Sequence, residues 1–125
     1  MPLVRIDLPV QTTPTTVRAI ADAVHHALVS VFGIPVADRF QTVARRSADA
    51  IICSEEFLGI AHSDQVVFVQ ITMAPRSVEQ KKALFLEIAS GIARETHFKG
   101  SDVIINLVES ARENWSFGNG QAQFA

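Results

Sequence analysis

Apolar residues recur along this chain with two different periods. Val4, Ile6 and Leu8 alternate with Leu3, Arg5 and Asp7, a period of two that puts successive side chains on opposite faces of a strand. After Pro14, flanked by threonines, the spacing lengthens. Val17, Ile20, Ala21, Val24, Leu28 and Val31 fall three or four apart and predict an amphipathic helix closed by Gly33 and Pro35. A second strand is predicted from about Phe40 (RFQTVAR). The connection from Ser47 to Asp64 is less regular and contains Gly59 and a turn at His62-Ser63-Asp64.

From Val66 the same order of signals returns. VVFVQIT reads as a strand, Ser77 and Gln80 as a capping box, and Val78, Leu84, Phe85, Ile88, Ala89 and Ile92 as a second helix, followed by the strand VIINLVE at Val103–Glu109. Laid over each other, Leu3–Leu8 falls on Val67–Thr72, Ile20 on Leu84, Val24 on Ile88, Leu28 on Ile92 and Asp38 on Asp102. The pattern is two β-α-β units in tandem. Right-handed crossovers then put both helices on one face of a mixed four-stranded sheet, an α+β fold. The other face carries Leu3, Arg5, Asp7, Phe68, Gln70, Thr72, Ile104, Asn106 and Val108. Either solvent or an oligomer covers it, and the patch of Phe68, Ile104 and Val108 points to an oligomer.

Composition narrows the function classes. With 125 residues, 48% of them hydrophobic, a single domain spanning 1–125 with a substantial core is expected. A net charge of −2 supplies no basic footprint for nucleic acid or an anionic membrane surface, so neither is an expected partner. Cys53 is the one cysteine, which excludes an intrachain disulfide or a cysteine-based zinc site and fits a reducing, cytoplasmic setting. Arg5 and Asp7 interrupt what would have to be the apolar core of a signal peptide, so the expected mature start is Pro2 after loss of Met1.

The candidate chemistry begins at that terminus. A free amino-terminal proline is a secondary amine titrating near neutrality, able to act as base or acid, and a strand that starts at once would hold it in place. Met-Pro starts are also common without function. Arg76, between the third strand and the second helix, is placed to bind a carboxylate or else is a solvated loop residue. Asp38, in VADRF, reads as a turn residue like its repeat mate Asp102, and Arg39 as a surface pairing residue. Trp115, Phe117 and Phe124 crowd the tail, where they either cap apolar surface of this or a neighbouring chain or wall a ligand pocket.

His25 and His26 are consecutive on a helix, His62 lies in a turn and His97 at a helix end. No histidine or carboxylate spacing supports a metal, and no G-x-G-x-x-G, Walker or G-x-S-x-G motif occurs. No cofactor is expected.

Taken together, MPL, VADRF, PRSVEQKKAL and NWSFGNGQAQF resemble the malonate semialdehyde decarboxylase branch of the tautomerase superfamily, over nearly the whole chain. The resemblance implies a homotrimer of β-α-β-β-α-β protomers. It implies Pro2 as the catalytic group, Asp38 assisting it, Arg76 binding the substrate carboxylate, and Trp115, Phe117 and Phe124 forming an apolar wall. The chain departs from that branch at one point. The decarboxylase carries an R-P-R arrangement where this sequence has Ala74-Pro75-Arg76.

Half of the carboxylate clamp is therefore absent, and control over the twist of a β-keto acid is weakened. Asp38 would favour a cationic Pro2, an acid suited to decarboxylation or hydration. The aromatic wall would favour a neutral Pro2, a base suited to moving a proton between carbon and oxygen. Ala74 turns the preference to keto–enol tautomerisation of a small 2-oxo carboxylate. Decarboxylation or hydration of a 3-oxo acid such as malonate semialdehyde is the alternative, and a non-catalytic binding module on the same fold is a second.

Overall fold

The computed structural model describes residues 1–125. Strand β1 (Leu3–Pro9) leads through helix α1 (Pro14–Phe32) to β2 (Gln41–Arg46). A small hairpin of β3 (Glu56–Phe57) and β4 (Ile60–Ala61) follows, then β5 (Val67–Met73), α2 (Val78–Glu95) and β6 (Val103–Glu109). The main sheet has the order β2-β1-β5-β6. Each β-α-β unit pairs its own strands in parallel, and β1 and β5 join the two halves antiparallel. The tandem repeat read from the periodicity is thus the architecture.

Both helices start where their local chemistry dictates. The Thr13 hydroxyl accepts from the Thr16 N–H ahead of Pro14, and Gly33, at φ 68°, ends α1 in the left-handed region that glycine adopts without strain. Ser77 and Gln80 form the full capping box that opens α2.

One face of the sheet and the inner stripes of both helices make the core. It is built from Val4, Ile6 and Leu8 of β1, Val67, Val69, Ile71 and Met73 of β5, Ile20, Val24 and Leu28 of α1, and Leu84, Ile88 and Ile92 of α2. The repeat-related helix residues are all at most 1% exposed. The helical stripe of α2 is narrower than its sequence pattern suggests. Val78 is 59% and Phe85 37% exposed, because Leu84, Ile88 and Ile92 with Gly91 already fill the contact with α1 and the sheet. An added Cβ at Gly91 would stand 3.4 Å from the Ala23 Cβ, so the helices approach closely there.

The opposite face is uncovered within the chain. It consists of three cross-strand rows, Leu3–Thr72–Val108, Arg5–Gln70–Asn106 and Asp7–Phe68–Ile104. The irregular connection contains more order than its sequence signalled. Leu58 (φ 53°) and Gly59 (φ 80°) make a two-residue hairpin turn of the type with both central residues left-handed. Buried Asp102 accepts from both the Ser63 N–H (2.8 Å) and the Ser63 hydroxyl (2.6 Å), which ties the end of this connection to the start of β6. Asp102 is therefore structural, and its repeat mate Asp38 has a different environment.

Candidate functional site

Topology gathers the sequence-predicted site residues at one end of the sheet. The register sets Leu3 opposite Thr72, Val4 beside Gln41, and Thr72 beside Val108. The chain start, the entry to β2, the exit from β5 and the exit from β6 therefore share an edge. Pro2, Asp38, Arg76 and the aromatic tail are attached to those four points.

Pro2 is buried and directly precedes β1, whose Val4 N–H donates to the Phe40 carbonyl at 2.9 Å. The terminal ammonium, carried by Met1, pairs with an Asp38 carboxylate oxygen at 2.8 Å. The Met1 side chain is 8% exposed and that of Asp38 18% exposed, so the pair is largely shielded from water. Asp38 occupies a tight turn, its N–H donating to the Pro35 carbonyl at 3.0 Å. The turn reading of Asp38 is present, and the amine that its carboxylate faces is that of Met1. Without Met1 the amine would belong to Pro2, one residue (about 3.8 Å along the chain) further into the strand.

Arg76 is half-buried between β5 and α2, its guanidinium carbon 5.0 Å from the centroid of the Phe32 ring at the end of α1. It has no carboxylate partner; its one hydrogen bond is a long contact, 3.4 Å, to the Pro75 carbonyl. Arg39, by contrast, is committed. It donates to Asp22 at 2.6 Å and to the Gln41 side-chain oxygen at 3.0 Å, which holds the Asp22 carboxyl below the usual carboxylate value of 3.8, chiefly through the hydrogen bond between them. The surface-pairing reading of Arg39 is the one observed. Lys81, in the first turns of α2, pairs with Glu109 at the end of β6.

The tail folds back over this end. Trp115 stacks on Phe117 with centroids 5.5 Å apart, and Phe117 meets Phe124 edge-on at 5.6 Å. Phe117 also packs on Phe40 at 5.2 Å. Phe40 lies outside the aromatic cluster expected from the sequence, although it ends the DRF motif; the contact that recruits it spans more than seventy positions and leaves no local signal. The Trp115 indole N–H is buried and lacks an acceptor within the chain. His25, in the sequence merely one of two adjacent helical histidines, is 4% exposed with Nε2 2.8 Å from the Val36 carbonyl, in the loop that leads to Asp38.

A broad concavity of about 630 Å³ lies at the far end of the sheet, along Pro9, Arg46, Cys53 and His62. Its one arginine is already paired with Asp7 at 2.8 Å, so it offers a carboxylate no free cation. The proline end, with its uncommitted Arg76, is the better candidate.

Similarity to known proteins gives the family. The profile of the tautomerase enzyme family matches residues 38–118, more than half of the chain. The chain belongs to the tautomerase family. Two curated relatives from Bacillus subtilis strain 168 are similar across their length. The probable tautomerase YrdN is 30% identical (99% of this chain, 96% of the relative), and the probable tautomerase YusQ is 31% identical (98% of each).

Among solved structures, FG41 malonate semialdehyde decarboxylase inhibited by 3-bromopropiolate is 41% identical at a TM-score of 0.92, covering 98% of this chain and 93% of that one. A second malonate semialdehyde decarboxylase, described with decarboxylase and hydratase activities, is 34% identical at 0.92 (98% and 95%). A fused 4-OT solved as a symmetric trimer is 25% identical at 0.78 (95% and 94%). The malonate semialdehyde decarboxylase-like branch of the tautomerase superfamily is where this chain falls. No helix is long and apolar enough to cross a membrane.

Proposed function

We propose that this tautomerase-family enzyme uses the amine of Pro2, freed by removal of Met1, to catalyse keto–enol tautomerisation of a small 2-oxo carboxylate without a cofactor. The observation that carries this reading is a half-buried guanidinium with no carboxylate of its own, at the same end of the sheet as a chain terminus facing Asp38. In this reading Arg76 holds the substrate carboxylate, Pro2 moves the proton between carbon and oxygen, and Asp38 orients Pro2 or the enol. Loss of Met1 opens the recess its side chain fills beside Asp38, and the substrate occupies it. Trp115, Phe117 and Phe124, with Phe40, offer the substrate an apolar wall.

A second reading is decarboxylation, or hydration, of a 3-oxo acid such as malonate semialdehyde. It is favoured by the 41% and 34% identities to decarboxylases and by the Asp38 carboxylate standing 2.8 Å from the terminal ammonium, the partner that a cationic, carbonyl-polarising amine would need. Against it stands Ala74, which leaves Arg76 as the one guanidinium of the segment. Ketonisation of enol-phenylpyruvate and decarboxylation of malonate semialdehyde, assayed side by side, separate the two. Turnover of malonate semialdehyde alone would overturn the first reading, and turnover of neither would favour a binding module on the same fold.

The working unit in this proposal is a homotrimer. An apolar recess of about 440 Å³ is shared by Ile52, Phe57, Leu58 and Ile60 of the hairpin region and Phe68 and Ile104 of the uncovered sheet face, and a second copy would bury it. The symmetric trimer of the fused 4-OT supports that assembly. A cytoplasmic setting fits the single cysteine.

A further inference from the structure

The loop that carries Asp38 is tied to α1 on both sides of the aspartate. Before it, His25 Nε2 lies 2.8 Å from the Val36 carbonyl; the contact requires the proton on Nε2, which makes His25 the donor. After it, Arg39 donates to Asp22 at 2.6 Å and to Gln41 at 3.0 Å, and the Gln41 amide donates in turn to the Ala21 carbonyl at 2.9 Å. Asp22 and His25 are three residues apart, so both anchors rise from one side of the helix. The Asp38 carboxylate has no hydrogen bond to its own loop, and its partner is the terminal ammonium. Its direction is therefore set by where the backbone is held, and the anchors hold that backbone.

His25 is the costlier anchor to lose. Val36 is itself 73% exposed, so water can take over its carbonyl, but His25 is 4% exposed, and replacing its ring leaves a gap beneath the loop into which the backbone relaxes. A shift on the order of 1 Å in a positioned catalytic group can cost up to about a hundredfold in rate.

We infer that His25, seconded by the Asp22–Arg39 pair, is a positioning residue that aims Asp38 at the amino-terminal amine. The inference rests on the proposed role of that amine. It is tested by kcat and KM for the protein without Met1, on whichever substrate is turned over, in His25→Leu, His25→Gln, Asp22→Asn, Asp38→Asn and the double variant His25→Leu/Asp38→Asn.

The expected result is a drop in kcat of about tenfold in His25→Leu at nearly unchanged KM, and a smaller drop in Asp22→Asn. His25→Gln, whose amide can donate to Val36, recovers most of the rate. The decisive result is non-additivity: His25→Leu costs nothing further once Asp38 is asparagine. An equal fold-loss in both backgrounds, or an undiminished kcat in His25→Leu, overturns the inference.

Should His25→Leu fail to fold, Asp22→Asn and Asp22→Asn/Asp38→Asn make the same comparison, because the Asp22 carboxylate is 38% exposed and dispensable to the core. Non-additive losses there support the positioning role, and additive losses overturn it. Pro2→Ala separates the two levels. Full activity there removes the amine's role altogether, whereas an inert Pro2→Ala with additive losses elsewhere removes the positioning role alone.

Discussion

Arg76→Met removes the guanidinium while keeping a long, apolar side chain against Phe32. The structure allows its effects on stability and on activity to be separated. Within the chain the guanidinium makes a cation–π contact at 5.0 Å and one marginal hydrogen bond at 3.4 Å. Such a contact at a partly exposed site is worth about 0.5–1 kcal/mol, and methionine regains part of it as apolar packing, so Tm should fall by no more than roughly 5 °C.

A substrate carboxylate held by this group would lose one or two charge-assisted hydrogen bonds of about 1.5–3 kcal/mol each. Taking about 3 kcal/mol in total, kcat/KM should fall by roughly 150-fold. If Arg76 only anchors the carboxylate, the loss lies in KM; if it also fixes the reacting bond, kcat falls too. Arg76→Lys keeps the charge and loses the fork, and should recover part of the loss. Steady-state kinetics on enol-phenylpyruvate and malonate semialdehyde, beside a thermal melt, measures both quantities. A kcat/KM within twofold of wild type in Arg76→Met, with the fold intact, would refute the anchor.

Three further outcomes are expected. Ile88→Ala, at a fully buried repeat position, should cost about 2–5 kcal/mol and lower Tm by roughly 10 °C or more in a thermal melt. Phe68→Glu puts a charge on the uncovered face beside Ile104 and should dissociate the proposed trimer in analytical ultracentrifugation; an unchanged sedimentation profile would contradict that interface. Because Arg39 depresses the Asp22 carboxyl below 3.8, its stabilisation is present above that unfolded value and lost as pH falls through the lower folded one. Asp22→Asn should therefore lose less stability than wild type in denaturant titrations below about pH 4, by under about 1 kcal/mol, since the pair is partly exposed.

The parts of this protein that were legible in its sequence are those fixed by local period. Val4, Ile6 and Leu8 declare their strand, and Ile20, Val24 and Leu28 declare a helix whose repeat mates Leu84, Ile88 and Ile92 occupy equivalent core positions. The capping box at Ser77 was equally plain. Contacts between distant segments were less so. Val78 and Phe85 satisfy the helical spacing yet are exposed, because the stripe that matters is set by what faces it.

The β3–β4 hairpin turns at Leu58-Gly59, and leucine with positive φ is not a residue a turn prediction would choose. Asp38 and Asp102 look equivalent in the repeat, but one faces the chain terminus and the other caps Ser63. His25 gave no signal because its acceptor is a backbone carbonyl eleven residues away, and no side-chain pattern encodes that.

In the proposed mechanism the amine of Pro2 performs the proton chemistry. Its most direct test is the turnover rate of Pro2→Ala relative to wild type, with loss of Met1 verified in both by intact mass. Positioned acid–base groups contribute about 10²–10⁴ in rate, and a loss of that size with the oligomer unchanged is the predicted result. A Pro2→Ala protein within a few fold of wild type would contradict it.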